Sequence, residues 1–272
     1  MASGPLTVPP PIRDDLFMTS LDTILVGGPT VHWTYAGLSV LTDPTFDPAA
    51  DFVSPNSTLR KTAGPAVTSD SLGAIDLVLL SHDRHADNLD VSGRALLSEV
   101  PLVLSTPDVP ERIDHVTGME SWEARTLSVP GGGTVVVTAV PARHGPEGCE
   151  PLLGLVTGFV LESDGWPTVY VSGDNASLDL AADISARFPD TEIVIAFAGA
   201  GDVGLFDRPL TLDSAGVAAL AALFPSTVVA VVHCQDWEHF REGPDDVRRA
   251  AERAGVSDRV VVLESGARTR LG

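Results

Sequence analysis

Short apolar runs that end in glycine or polar residues recur along the chain, and each predicts a buried strand. ILVGG from Ile24, LSVLTD from Leu38 and LVLLSHD from Leu77 come first, followed by PLVLS from Pro101 and GGGTVVVTAVPARHG from Gly131. GLVTGFVLES from Gly154, TVYVSGDN from Thr168, EIVIAFAG from Glu192 and TVVAVVHCQD from Thr227 repeat the pattern, the last being the final strand predicted. Amphipathic segments predict helices over Leu89 to Leu97, Ser177 to Phe188, Leu212 to Leu223 and Asp245 to Ala254. Strands in consecutive groups broken by helices argue for an α/β fold with mixed sheets covered by helices, not an alternating βα barrel. Residues 1–15 are proline-rich and read as an N-terminal arm, leaving 16–272 as one domain with no repeat and no linker. The polar, turn-rich stretch from Asp47 to Asp70 is long for a plain connection; a lid and a surface insertion both fit it.

Composition narrows the function classes. A chain of 272 residues can bury a sizeable core. Seventeen basic against thirty-seven acidic side chains leave a formal charge of −20, which repels phosphate backbones, so no nucleic-acid partner is expected. Cys149 and Cys234 are too few for a disulfide framework and form no CxxC pair. No apolar run is long enough to span a bilayer, and the first residues lack the features of a signal peptide, so the expected location is cytoplasmic. Lys61 is the one lysine, and no function is assigned to it.

Candidate chemistry collects at the polar ends of the predicted strands: Asp43, then His82, His85, Asp87 and Asn88, then His144, Asp174, His233 and His239. Any one of these histidines alone reads as a structural residue. Together they supply the mixed nitrogen and oxygen donors that suit zinc, iron or manganese, and a site assembled from several loops keeps a coordination position open for water. A hydrolytic metal centre is the expected result, with a small molecule as substrate. The glycines at Gly27, Gly28 and Gly131 to Gly133 lack the partners of a phosphate-binding loop and read as turns. VSGDNAS does not match the elbow of serine hydrolases, so no nucleophilic serine is expected.

Five segments in order, GGPTVHWTYAGLSVLTDPTFD, LVLLSHDRHADNLD, PARHG, VYVSGDN and VVHCQDWEHF, resemble the metallo-β-lactamase superfamily. The resemblance is to the branch that includes L-ascorbate-6-phosphate lactonase and N-acylphosphatidylethanolamine-hydrolysing phospholipase D. It implies a four-layer αββα sandwich and one or two divalent metal ions, zinc first, with manganese or iron as alternatives. The family pattern H-x-H-x-D-H is altered here. Without a gap, His82 matches while Arg84 and Ala86 fall on the second His and the Asp; one inserted residue restores His85 and Asp87 and leaves Asn88 where the last His belongs. The second alignment is preferred, because residues three apart share one helical face. The resemblance then implies a ligand set of His82, His85, Asp87, His144, Asp174 and His233, with Asp174 bridging. An amide at Asn88 is a weak donor, so the second site is expected to bind its ion less tightly.

The implied reaction is attack by a metal-activated water on a lactone, ester, amide or phosphodiester, with Asp87 and His233 as the catalytic pair and Asp87 as base or proton shuttle. Asp43 reads as a partner steadying a ligand, or as a turn former before Pro44. Arg84 reads as a clamp for an anionic substrate, or as an ion-pair partner of Asp83. Trp237, His239 and Phe240 read as a substrate-binding wall, with core packing an equal explanation for the aromatics. Cys234 reads as a small buried residue, and His32 and His115 as structural or surface residues. Association into a homo-oligomer is left open. Two other readings stand beside the hydrolase: a binding or assembly protein that kept the fold and lost hydrolysis, and a diiron redox centre of the kind found elsewhere in the superfamily.

Overall fold

The computed structural model describes residues 20–54 and 58–272, so the predicted arm at 1–15 lies outside the described residues. Two seven-stranded sheets organise the rest. The first runs, edge to edge, Arg268–Leu271, Leu21–Gly27, Thr30–Tyr35, Leu38–Thr42, Leu77–Leu79, Leu102–Ser105 and Val116–Gly118. The second runs Val260–Val262, Val228–Val232, Thr191–Phe197, Thr168–Val171, Val156–Glu162, Thr134–Ala142 and Ala124–Ser128. Each sheet is antiparallel through one half and parallel through the other.

The two-residue period of a strand sorts side chains between layers. Leu77 and Leu79 face the inter-sheet core, where Trp33, Tyr35, Val137, Phe159, Ile195 and Phe197 also lie. Val78 and Leu80 face outward into a cluster with Leu89, Leu97 and Val103. On the second sheet, Val194 and Ala196 meet Ile184, Val217, Leu220 and Val247, which come from the helices Leu178–Arg187, Ser214–Leu223 and Pro244–Ala254. The result is the expected four-layer αββα sandwich. Central strands buried on both faces explain why their sequences are continuous apolar runs rather than alternating ones.

Several elements differ from the sequence-based expectation. The helix expected over Leu89 to Leu97 is a short α-helix, Val91–Leu96, followed by a 3-10 turn, Leu97–Glu99. Asp90 caps it, accepting from the Gly93 amide at 2.8 Å. A side chain at Gly93 would overlap the Pro44 carbonyl oxygen, which is why this helix carries a glycine in its interior. The strand at Val228–Val232 is not the last, since Val260–Val262 and Arg268–Leu271 extend the edges of the second and first sheets. The stretch from Asp47 to Asp70 contains a hairpin of Asp51–Val53 with Thr58–Arg60.

Lys61, to which the sequence assigned no function, anchors that segment. Its ammonium is buried, 3.1 Å from both Asp90 Oδ2 and the Thr45 carbonyl oxygen, and lies over the Trp237 ring. No helix among the described residues is long and apolar enough to cross a membrane.

Candidate metal centre

Polar residues that follow the carboxyl ends of strands in both sheets meet at one rim. His82 follows Leu77–Leu79, His144 follows Thr134–Ala142, Asp174 follows Thr168–Val171 and His233 follows Val228–Val232. The main chain joins the two sheets here: Thr157 N donates to the Ser81 carbonyl at 3.1 Å, and His233 N donates to the Gly28 carbonyl at 2.9 Å. Asp43 and His233 both sit in the left-handed region, with φ of 26° and 57°. Non-glycine residues rarely adopt that conformation, and it commonly marks functional sites.

Two groups of donors form. Ligand atoms of His82, His85 and His144 lie within 4.8 Å of one another, and so do those of Asp87, Asp174 and His233. Asp174 stands between them, its Oδ2 3.6 Å from His144 Nε2 and its Oδ1 3.3 Å from His233 Nε2. Asp87 Oδ2 lies 3.5 Å from His233 Nε2 and 3.1 Å from His239 Nε2.

Hydrogen bonds behind the first group fix its tautomers. His144 Nδ1 lies 3.0 Å from the Leu210 carbonyl oxygen, which can only accept, so Nδ1 carries the proton and Nε2 presents a lone pair. Asp43 accepts from Ser81 N at 2.6 Å and from Ser81 Oγ at 2.7 Å. With Asp43 ionised, the Ser81 hydroxyl has spent its one proton and accepts from His82 Nδ1 at 2.9 Å, so His82 Nε2 is also a lone pair. Both lone pairs face His85 Nδ1, at 2.8 and 3.2 Å. One proton on His85 can satisfy at most one of these contacts well, whereas a cation satisfies all three nitrogens.

The second group also lacks partners of its own. Both oxygens of Asp174, Oδ1 of Asp87 and both ring nitrogens of His233 are buried without a hydrogen bond among the described residues. Burying two carboxylates with most of their oxygens lacking a hydrogen bond is costly, and buried charges are ordinarily paired or coordinate metals. The donor set therefore fits divalent ions, with a nitrogen-only group suited to zinc and an oxygen-rich group that also suits manganese or iron.

Protonation follows the same division. Burial pushes His82 well below the usual imidazole range and His85 down to about 4, and the neighbouring imidazoles add to the effect, so both rings are neutral and ready to ligate. Burial alone would keep His233 neutral as well. The carboxylates of Asp174 and Asp87 outweigh it and push the ring up to about 10. Against burial, the facing imidazoles hold both carboxyls below their ordinary range. His233 must give up its proton to bind an ion, so metal uptake at pH 8 is expected to release about one proton at the second group. Isothermal titrations in buffers of differing ionisation heat read this number, and proton-neutral uptake there would contradict it.

The remaining sequence-based candidates are distributed unevenly. Asn88 is buried, Nδ2 donating to Asp43 Oδ2 at 3.2 Å, while its Oδ1 has no hydrogen-bond partner among the described residues. Asp43 is thus the hub that ties Ser81 and Asn88 together behind His82. His82 and His85 converge through a turn, not through the helical face invoked from their spacing. The ion pair weighed between Arg84 and Asp83 is absent: Asp83 holds Arg112 at 2.7 and 2.9 Å, and Arg84 reaches Asp108 at 3.3 Å.

Arg84 and His239 line a cavity of about 690 Å³ that opens over Asp87, His144 and Asp174. Phe240 lines it too, whereas Trp237 does not and packs instead on Phe52 and Lys61. His32 bonds Ser39 Oγ at 2.8 Å, away from the centre. Sequence reasoning did not single out Ser81 or the Leu210 carbonyl. The only available signal was that Ser81 directly precedes His82.

A model of the beta-lactamase superfamily domain matches residues 39–234, more than half of the chain. The chain belongs to the metallo-β-lactamase superfamily. No curated protein matches it. Solved structures similar to this superfamily member include a possible metal-dependent hydrolase from Veillonella parvula, 19% identical, covering 93% of this chain and 99% of that one with a TM-score of 0.77. An isothiocyanate hydrolase from Delia radicum gut bacteria is 18% identical, covering 92% and 99% with a TM-score of 0.77. CmlA, a diiron β-hydroxylase from Streptomyces venezuelae, is 15% identical, covering 93% of this chain and 54% of that one with a TM-score of 0.64. Proteins of this fold thus include both named hydrolases and a diiron hydroxylase, so the fold leaves the choice of metal to the side chains.

Proposed function

We propose that this superfamily member is a metal-dependent hydrolase, with two divalent ions held by His82, His85 and His144 on one side and by Asp87 and His233 on the other, and with Asp174 between them. The observation that supports it most is the meeting of imidazole lone pairs and buried carboxylate oxygens without hydrogen bonds described above, at the floor of an open cavity. Such ions, when bound, would supply a water of lowered pKa and polarise the oxygen of the bond to be cleaved.

The chain's own residues do the rest. Asp87, beside the cavity, orients the attacking water and accepts its proton. His239, 3.1 Å from Asp87 and exposed to the same cavity, passes a proton to the leaving group. The hydrogen-bonded train from Asp43 through Ser81 to His82, and the Leu210 carbonyl behind His144, keep the imidazoles aimed without rearrangement during turnover. Zinc is the first choice for the nitrogen-only group, with manganese or iron as alternatives in the second. The cytoplasm is the proposed location, in keeping with two buried free thiols.

Metal analysis after gentle purification tests the reading. The expected result is close to two ions per chain, with His144→Ala and His233→Ala each losing metal and hydrolysis together. Metal-free protein of unchanged stability would favour a binding protein instead, and visible absorbance from stoichiometric iron would favour redox chemistry.

A further inference from the structure

The walls of the cavity over the two donor groups differ in character from its floor. The floor is polar, with His85, Asp87, His144, Asp174 and His239. The walls include Leu152, Leu153, Val203, Leu205, Leu210 and Phe240. Leu152 and Leu205 are 69% and 52% exposed, and their apolar surfaces are gathered in this one cavity with the other wall residues rather than scattered singly.

Charge restricts the occupant further. Among the described residues lining the cavity, Arg84 is the one permanent cation, and its guanidinium is engaged by Asp108 at 3.3 Å. Sites that transfer phosphoryl groups clamp the anion with metal ions and, beyond them, with arginine or lysine side chains. Here the walls add no cationic side chain free of an acidic partner to the ions proposed on the floor, and the whole chain carries a charge of −20. A volume of about 690 Å³ falls in the range of pockets that enclose a drug-sized molecule, more than a short acyl group fills.

We infer that the substrate is a neutral carboxylic ester, open-chain or cyclic, that carries a hydrocarbon arm lying against the leucine wall while its carbonyl rests on the polar floor. This rests on the hydrolase reading above. The reaction balances without a further reagent: the oxygen of one water bonds to the acyl carbon, the ester C–O bond breaks, one proton of the water goes to the departing alkoxide, and the products are a carboxylic acid and an alcohol. In a lactone the two remain in one molecule.

Two measurements on the metal-loaded full chain test the inference. In the first, kcat/KM is measured for p-nitrophenyl esters from acetate to octanoate, for γ-lactones of matching tail length and for bis-p-nitrophenyl phosphate. Burial of the arm predicts a rise of about fourfold per methylene, the equivalent of about 0.8 kcal/mol, in one or both carboxylic series. Leu205→Asp, at an exposed position, should flatten the rise. A flat series, or preference for the phosphodiester, overturns the inference and leaves the hydrolase reading standing.

The second measurement, calorimetric binding of octanamide against acetamide, does not depend on turnover. Tighter binding of octanamide by at least tenfold is expected, and equal binding overturns the inference. If no compound is hydrolysed, the ester inference falls even where octanamide binds more tightly, and the hydrolase reading is judged by its own metal analysis.

Discussion

Asp174→Ala is expected to lower hydrolysis by about a thousandfold or more and to reduce bound metal from two ions per chain to one or fewer. The reason is placement. Each of the other ligand candidates belongs to one donor group, whereas the two oxygens of Asp174 face His144 and His233 separately. Its removal therefore weakens both ions and takes away the negative charge that holds them near each other. Elemental analysis and a steady-state assay on the same preparation check the result. Full metal content with near-normal turnover would show that Asp174 does not bridge.

Asp43→Ala is expected to cost about 3 kcal/mol of stability, because it strands the Ser81 amide and the Asn88 amide nitrogen inside the protein. It should also lower metal affinity at the three-histidine group by about 10-fold to 100-fold. Without the carboxylate, the Ser81 hydroxyl is free to donate to His82 Nδ1, which moves the ring proton to Nε2, the atom meant for the ion.

The same coupling sets a pH dependence. Burial pushes Asp43 up to about 7, against the hydrogen bonds from Ser81, which favour the ionised form. As pH falls through about 7 the carboxyl gains a proton, and metal affinity of the first group should fall with it. In metal-free protein the sign for folding is opposite. A folded-state value above the unfolded one favours folding most below about pH 4, and that contribution fades as pH rises through about 7. Urea titrations across this range, wild type beside Asp43→Ala, should show this component only in the wild type. Equal pH dependence in the two proteins would remove Asp43 from the account.

Much of the layered fold is visible in the sequence because its central strands are buried on both faces. Runs such as Val228–Val232 and Thr191–Phe197 have no competing explanation at that length, and the polar residues just beyond them mark the rim. Edge elements leave weaker traces. Arg268–Leu271 reads Arg-Thr-Arg-Leu, with one apolar residue in four positions, and Ala124–Ser128 is largely exposed, so neither stands out from a loop. The strands of the hairpin at Asp51–Val53 and Thr58–Arg60 are three residues long, below the length at which a period can be read.

At the site, residue types were legible and orientations were not. The sequence marks Asn88 as a poor ligand, but only coordinates show its amide nitrogen committed to Asp43. It places Trp237 and Phe240 together after His233, but cannot say that one ring lines the cavity and the other shields Lys61. Asp83 and Arg84 are adjacent and opposite in charge, yet their backbone directs them to different partners, Arg112 and Asp108.

The burial of Lys61 shapes the outside of the protein as well as its interior. With the one lysine withdrawn beneath Trp237, every basic side chain left on the described surface, histidine aside, is a guanidinium. Those groups keep their charge far into alkaline solution, where ammonium groups would lose theirs. Acylating dyes and amine-directed crosslinkers accordingly find no side-chain nucleophile of their kind on the folded domain, and any such labelling of Lys61 reports that the segment around it has come away.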